Sequence, residues 1–187
     1  MQVLLLPDIR NRLLSIFEQV RQSPGAPYEP ERLLAFLTDP PAAEGRRVAD
    51  TFAGRRRFVR FMNTIQLEFG ICFTLEEWDR GFSLANLANL VVATIAKPDR
   101  VLRLARQRLD QARRRRIVEP VKFGLLAFPL LVVAGFADSW PGRIAFALVW
   151  AGIVAGVAAF SFSDVRYSRE LVSRIAARAE QERVAGS

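Results

Sequence analysis

The sequence predicts an all-α protein built from a small helical bundle, a two-helix transmembrane hairpin and a C-terminal amphipathic helix. Apolar residues recur at helical spacing in most segments, and no segment alternates apolar and polar residues as a strand would. Residues 144–162 are 19 consecutive positions without a charge, which as a helix would cover about 28 Å of a bilayer core of about 30 Å. Half of the 187 residues are hydrophobic and a quarter are charged, and the two kinds are segregated along the chain.

The bundle is predicted to begin with two helices. Apolar residues at every third or fourth position predict an amphipathic helix over 8–21. Proline and glycine residues in 23–27 end this helix, and 29–37 forms a second, shorter one before another pair of prolines. Residues 42–53 form either a loop or a further helix, and the sequence pattern does not distinguish the two.

The remaining helices of the bundle are marked by their ends. An apolar stripe that finishes at Phe69 predicts a helix with Gly70 as its C-cap. Thr74 is placed to cap a short helix with acidic residues in its first turn, where the helix dipole favours them. Ser83 caps the following helix, whose leucines and valines supply its buried face. The whole bundle is predicted to occupy 1–96.

Within this bundle, residues 54–91 resemble the second half of acyl carrier protein domains. The segment EFGICFTLEEWDRGFSLANLANLV carries the resemblance. In that family a long helix ends in an acidic residue and Phe-Gly-Ile, a short acidic helix follows, and a Ser- or Thr-capped helix rich in Leu and Val comes next. Here Phe69-Gly70-Ile71 and Ser83 stand at the separation of the family without a gap. The resemblance implies a carrier-like helical fold.

The sequence departs from this family where the prosthetic group would be attached. Carrier domains place Asp-Ser-Leu at the start of the long helix, and the serine carries the phosphopantetheine arm. Counting back from Phe69, this chain has Gly54-Arg55-Arg56 there, and Thr51 lies one turn too early. The resemblance therefore implies a scaffold or docking domain that holds no cofactor. A true carrier that uses another serine is the weaker alternative.

The same helix is basic, whereas the corresponding helix of carrier domains is acidic and docks on basic partner surfaces. We expect its arginines to bind an acidic partner protein or anionic lipid headgroups. A solvated face without a partner is the alternative. The arginines concerned are Arg55, Arg56, Arg57 and Arg60.

The hairpin is predicted at 120–162, with its two crossings at the most apolar stretches, 121–137 and 144–162. Arginines cluster before the first crossing and after the second, while the turn between them holds one arginine and one aspartate. By the positive-inside rule both termini are therefore cytoplasmic. The expected location is the inner membrane of a bacterium, crossed twice. A pair of buried core helices in a soluble protein is the alternative.

Basic helices are predicted on both sides of the hairpin. The first covers 97–119 and is separated from the membrane by Pro120, and the final amphipathic helix, 163–187, is capped by Ser163 or Asp164. Nucleic acid is a competing partner for an arginine run, but the run lies beside the membrane segment and no nucleic-acid-binding fold is recognisable. We therefore expect lipid headgroups and no nucleic acid at this run, which consists of Arg113, Arg114, Arg115 and Arg116.

Small residues mark a helix-packing surface on the second crossing. Gly152 and Gly156 form a GxxxG pair, with Ala155 and Ala159 beside them. Such residues let helix backbones approach closely in lipid. The helix packed there is either the first crossing of the same hairpin or a helix of a larger integral membrane protein.

Nothing in the sequence predicts catalysis. The chain has no histidine, which removes histidine-based triads and histidine metal sites. Its single cysteine, Cys72, has no histidine to activate it and lies in an apolar context. The sequence also has no glycine-rich phosphate loop and no metal-ligand spacing. We expect no catalytic residue, no cofactor and no bound metal.

Two functions are compatible with these features. The first is a non-catalytic, membrane-anchored accessory subunit that docks on a larger inner-membrane complex, in envelope lipid, acyl-transfer or polysaccharide machinery. The second is a hairpin protein that shapes the membrane or binds anionic lipid without a fixed protein partner. A homo-oligomer is compatible with either function.

Overall fold

A computed structural model describes residues 6–78, 83–135 and 140–185, and these residues contain helices and no strand. The predicted all-α class is therefore confirmed. Two short 3₁₀ segments, Pro30–Leu37 and Val48–Asp50, lie between the first two α-helices. The α-helices are α1 (Leu6–Val20), α2 (Phe52–Phe69), α3 (Leu75–Trp78), α4 (Leu84–Ile95), α5 (Pro98–Gly135) and α6 (Trp140–Ala185).

The chain divides into two compact units. One, here called the head unit, consists of the chain as far as Leu104 together with the segment from Ser173 onward. The other, here called the arm unit, is Ala105–Val172 and holds most of α5 and α6. In the head unit, α1 packs against both α2 and α4, and the two 3₁₀ segments pack against α2. The buried apolar side chains of these elements form one continuous core.

Aromatic rings lie at the centre of that core. Phe17 of α1 is fully buried, and its ring packs edge-to-face against Tyr28 at 5.3 Å and against Phe61 at 6.2 Å between ring centroids. A second pair, Phe58 and Trp78, joins α2 to α3 with centroids 5.6 Å apart. Edge-to-face contacts stabilise such rings beyond the burial of their apolar area. These pairs therefore hold α1 and α3 against α2.

The predicted helix ends of the head are confirmed. Gly70 ends α2 with a φ of +58°, a left-handed conformation that favours glycine, and its N–H donates to the Gln66 carbonyl. At α3, the Thr74 hydroxyl accepts from the Glu77 N–H and the Glu77 carboxylate accepts from the Thr74 N–H, which is a capping box. Ser83 caps α4 by accepting from the N–H of Asn86.

A buried glutamine that the apolar pattern did not predict holds the chain after α2. The side chain of Gln66 is fully buried in the core. Its Oε1 accepts from the N–H of Phe73 at 3.1 Å, and its Nε2 lies 3.4 Å from the Met62 carbonyl. A buried backbone N–H needs such a partner. Gln66 therefore stabilises the extended segment that carries Ile71, Cys72 and Phe73 into the core.

The C-terminal end of α6 supplies two arginines to the end of α2. Arg174 donates to the carbonyl of Leu67 at 3.2 Å, and Arg178 donates to the carbonyl of Phe69 at 2.7 Å. The last carbonyls of a helix have no partner inside it and carry the negative end of its dipole. These arginines therefore satisfy and neutralise the C-terminus of α2.

A buried arginine and its carboxylate partner close the loop after α1. Arg21 is 5% exposed and donates to the Glu18 carboxylate at 2.9 Å and to the Ala26 carbonyl at 2.7 Å. Glu18 in turn accepts from the N–H of Gly25 at 2.6 Å. That backbone hydrogen bond is the main cause of a lowered pKa for Glu18, and Arg21 acts in the same direction against the opposing effect of desolvation.

We expect acid to weaken this loop through Glu18. Because its pKa is lowered from the ordinary value of 4.5, the folded head binds the Glu18 proton more weakly than the unfolded chain does. The stabilisation is therefore fully present above about pH 4.5 and is lost as the pH falls through the lower pKa of the folded state. Glu18→Gln should flatten the fall of the melting temperature in this acid range. An equally steep fall in both proteins would contradict the assignment.

Several predicted boundaries differ from the structure. The segment predicted as a helix over 29–37 is the 3₁₀ segment Pro30–Leu37, and it is kinked at Arg32, where φ and ψ are not helical. The undecided segment 42–53 contains the short 3₁₀ turn and the first residues of α2. Pro120 does not end the basic helix, since α5 continues to Gly135.

The predicted membrane placement is wrong. In the parts of the chain that the structure describes, no helix is both long enough and apolar enough to cross a bilayer. The second predicted crossing, 144–162, and the described part of the first, 121–135, lie within longer helices that also contain charged residues. In α6 the helix runs unbroken through Ser163 and Asp164, so neither residue is an N-cap. Residues 136–139, which include the end of the predicted first crossing and the first residues of the predicted turn, lie outside the described residues.

Candidate docking site

The four arginines predicted on α2 do not share one environment. Arg55, Arg56 and Arg60 are exposed. Arg57 is half-buried, and its guanidinium donates to the carbonyl of Val20 at 3.3 Å, near the C-terminus of α1. Arg57 therefore has a structural contact, and the other three are available to a partner.

An exposed aromatic ring belongs to the same surface. Phe52 is the first residue of α2 and is 87% exposed. Residues four apart lie on one face of a helix, so Phe52, Arg56 and Arg60 form a row, with Arg55 beside it. These four residues are here called the basic face. An exposed phenylalanine among arginines is unusual for a merely solvated surface, because aromatic and arginine side chains are enriched at binding interfaces.

The basic face carries no compensating carboxylate of its own. Within the described residues, no ion pair is formed by Arg55, Arg56 or Arg60. The one acidic residue in α2 is Glu68, and it pairs with Arg12 of α1 at 2.7 Å. Exposed positive charges close together attract anions within about 10 Å at moderate salt. The arrangement can therefore bind a negatively charged ligand.

The resemblance to carrier domains aligns their Asp-Ser-Leu with Gly54-Arg55-Arg56, so the serine that would carry the arm is aligned with Arg55, which is exposed. Gly54 is buried, and a Cβ atom there would overlap the backbone carbonyl of Val48. The hydroxyl of the preceding Thr51 accepts from the N–H of Gly54 at 3.1 Å as the N-cap of α2. Thr51 therefore caps the helix with its hydroxyl, and the residue aligned with the serine is an arginine.

Substitution of this glycine should reverse the usual effect of alanine in a helix. Alanine normally favours a helix over glycine by about 1 kcal/mol. Gly54→Ala should instead lower the free energy of unfolding by about 1–3 kcal/mol, because the added methyl group meets backbone that cannot move aside. Urea denaturation of the full chain followed by circular dichroism would measure this.

Gly152→Ala is the matched control. Gly152 is helical and exposed, and no described atom lies within 4 Å of its Cβ position. Alanine should therefore be neutral or stabilising there. A loss of stability at Gly152 would instead support the close helix packing predicted for Gly152 and Gly156, and a neutral Gly54→Ala would contradict the overlap at Val48.

A cavity of about 350 Å³ lies beside the start of α2. Apolar side chains from the first 3₁₀ segment, α2 and α3 form its walls, among them Leu34, Phe58 and Trp78. Arg46 and Glu44, both exposed, lie at its rim. Its volume is within the range of ligand pockets in proteins. Local sequence patterns do not predict this cavity, because its lining comes from four separate segments, 31–35, 43–49, Phe58 and Trp78.

The second predicted set of docking residues lies in the arm unit. Arg113, Arg114, Arg115 and Arg116 are all exposed. The guanidinium of Arg116 stacks over the ring of Phe162 at 4.8 Å, and Arg113 lies 3.9 Å from Asp110. Desolvation raises the pKa of Asp164, and the charge of Arg115 opposes this shift. Part of this arginine run is therefore engaged with neighbours on α5 and α6.

The predicted packing residues on α6 are exposed. Gly152, Gly156, Ala155 and Ala159 all have exposed side-chain positions. Their suggested role within a membrane is wrong together with the membrane placement. Whether another helix packs on them stays a prediction, because the side chains of 123–143 lie outside the described residues.

The single cysteine, Cys72, and the acidic residue Glu77 both have structural surroundings. Cys72 is 1% exposed, in the segment that Gln66 holds in the core. Glu77 belongs to the capping box of α3 and forms an ion pair with Arg100 at 3.1 Å. Among the described residues, no group of three acidic or cysteine side chains could hold a metal ion.

In comparisons with known proteins, no protein family, no curated protein and no solved structure matches this chain.

Proposed function

We propose that this chain is a non-catalytic docking protein, and that the basic face of its head unit binds an acidic segment of a partner protein. The observation that carries the proposal is the row of exposed arginines on α2, which forms no ion pair within the described residues and has an exposed phenylalanine at its end. Arginine presents a planar fork of donors that suits carboxylates.

The carrier-like pattern of the head supports the same proposal. The long helix ends at Gly70, a short acidic helix follows, and a serine caps the next helix, as the resemblance requires. In that family the long helix is the surface that meets partners. A chain with this arrangement, a basic long helix and an arginine, Arg55, where the family has its serine fits docking rather than group transfer.

A triple charge reversal tests the proposal against a matched control. Arg55→Glu, Arg56→Glu and Arg60→Glu together should weaken binding of a labelled polyglutamate peptide by about tenfold or more, because each lost carboxylate contact is worth a few tenths to 1 kcal/mol. The control replaces three exposed basic residues of the head unit outside α2 with glutamate, namely Arg10, Lys97 and Arg103. Both triple variants have the same net charge, and fluorescence anisotropy of the peptide measures affinity.

Two results would overturn the proposal. Equal losses in the two triple variants would mean that the peptide responds to net charge and not to the basic face. Binding of the unaltered chain to vesicles rich in anionic lipid, with no binding of the acidic peptide, would assign the basic face to lipid headgroups instead. Affinity should also fall as salt is raised, since exposed charge pairs are screened.

A further inference from the structure

The cavity beside α2 has an apolar interior and a charged rim. Leu34, Ala35, Phe58 and Trp78 face it, and the edge-to-face pair of Phe58 and Trp78 joins two of its walls. Pockets of this size and lining bury apolar groups and use a few polar groups at the mouth to set orientation. The cavity is large enough for a large aliphatic or aromatic side chain.

The cavity and the basic face are built on the same piece of chain. Arg46 and Val48 line the cavity, and the carbonyl of Val48 lies directly against Gly54 in the first turn of α2. That turn carries Phe52 and Arg55 of the basic face. The first turn of α2 therefore joins the cavity lining to the residues of the basic face.

We propose that the cavity takes one large apolar side chain of the same acidic segment that the basic face binds. This inference rests on the proposed function and adds the anchor residue that gives the interaction its specificity. Tight interfaces concentrate their energy in a buried apolar or aromatic anchor, surrounded by polar contacts at the rim. The occupant is thus a peptide segment with glutamates or aspartates on one side of a leucine, phenylalanine or tryptophan.

The rim charges constrain how that segment lies. Arg46, together with Arg55 and Arg56 of the basic face, favours carboxylates on the side of the cavity next to α2. Glu31 and Glu44 at the rim would repel them. Removing a rim carboxylate should therefore strengthen binding, in contrast to the effect of removing an arginine.

The test uses two short peptides rich in glutamate, one with a central leucine and one with alanine in its place. The full chain should bind the leucine peptide at least about tenfold more tightly than the alanine peptide, because only leucine fills the cavity. Ala35→Leu fills the cavity from its own wall and should remove this preference, while leaving binding of the alanine peptide unchanged. Ala93→Leu, at an exposed position on α4, is the matched control and should keep the preference.

Glu44→Lys provides a second measurement that does not alter the cavity walls. It should tighten binding of both peptides by a fewfold, because it replaces a repelling charge at the rim with an attracting one. Should Ala35→Leu fail to fold, Ala49→Leu fills the same cavity from another residue of its lining.

The outcomes separate this inference from the proposed function. If both peptides bind equally and the triple reversal on α2 removes their binding, the anchor proposal fails and the proposed function stands. If neither peptide binds, both fail. A leucine preference that survives cavity filling would place the anchor elsewhere and overturn the inference.

Discussion

Replacing Phe17 with alanine is expected to lower the free energy of unfolding by about 3–5 kcal/mol, the usual cost of deleting a buried aromatic ring. The Phe17 ring is fully buried, packs edge-to-face on Tyr28 and Phe61, and lies 4.9 Å below the guanidinium carbon of Arg21. Its removal would leave a cavity between α1 and α2 and would also remove the surface on which a buried cation rests.

Phe52→Ala is the matched control for this prediction. The chemical change is the same, but the Phe52 ring is 87% exposed, so its removal should change stability by no more than about 0.5 kcal/mol. Phe17→Leu should fall between the two, because leucine fills part of the space. Urea denaturation of the three variants measures the differences. Similar effects at Phe17 and Phe52 would contradict the core described here.

Much of the head could be predicted from local patterns. The helical spacing of Ile9, Leu13 and Phe17 identifies the buried side of α1, and all three are in the core. Gly70 ends α2 because glycine readily adopts a positive φ. Ser83 begins α4 because its hydroxyl caps the first turn. Signals of this kind depend on a few neighbouring residues, so a single sequence is enough to find them.

Contacts between distant segments could not be predicted in the same way. Arg57 and Arg60 look alike in sequence, yet Arg57 donates to a carbonyl of α1 while Arg60 is exposed. Gly54 looks like a weak point of a helix, but its place against Val48 requires glycine. The packing of the whole head unit determines which side of a helix another segment covers. The local spacing of residues carries no information about that packing.

The membrane prediction failed for a related reason. An uncharged stretch of 19 residues has the length of a membrane crossing, but length alone does not say where the helix around it begins and ends. Pro120 and Ser163 look like helix boundaries in the sequence, but the helices of the structure run through both positions. A proline or a serine marks a helix end only when the neighbouring backbone also leaves the helix.

Arg21 is a charged residue that is buried, although its place in the sequence predicts an exposed side chain. It lies at the end of α1, where a long cationic side chain usually reaches into water. Here its guanidinium carbon lies 4.9 Å from the Phe17 ring centroid and 5.8 Å from that of Tyr28. Its Nε is buried without a hydrogen-bond partner among the described residues. The burial of this charge is tolerated because Glu18 and two loop carbonyls accept its other hydrogens.

Arg21→Met should therefore lower the free energy of unfolding by about 2–4 kcal/mol, since it removes charge-assisted hydrogen bonds to Glu18 and Ala26 that hold the loop after α1. Arg21→Lys should remain destabilised, because an ammonium cannot reproduce the planar fork or its stacking on two rings. The control is Arg10→Met on α1, where the side chain is exposed and the expected change is within about 0.5 kcal/mol.

In the double variant Arg21→Met with Glu18→Gln, the two losses of stability should be less than additive, because the pair acts as a unit. Full additivity, or equal effects at Arg10 and Arg21, would show that the loop does not depend on this buried cation.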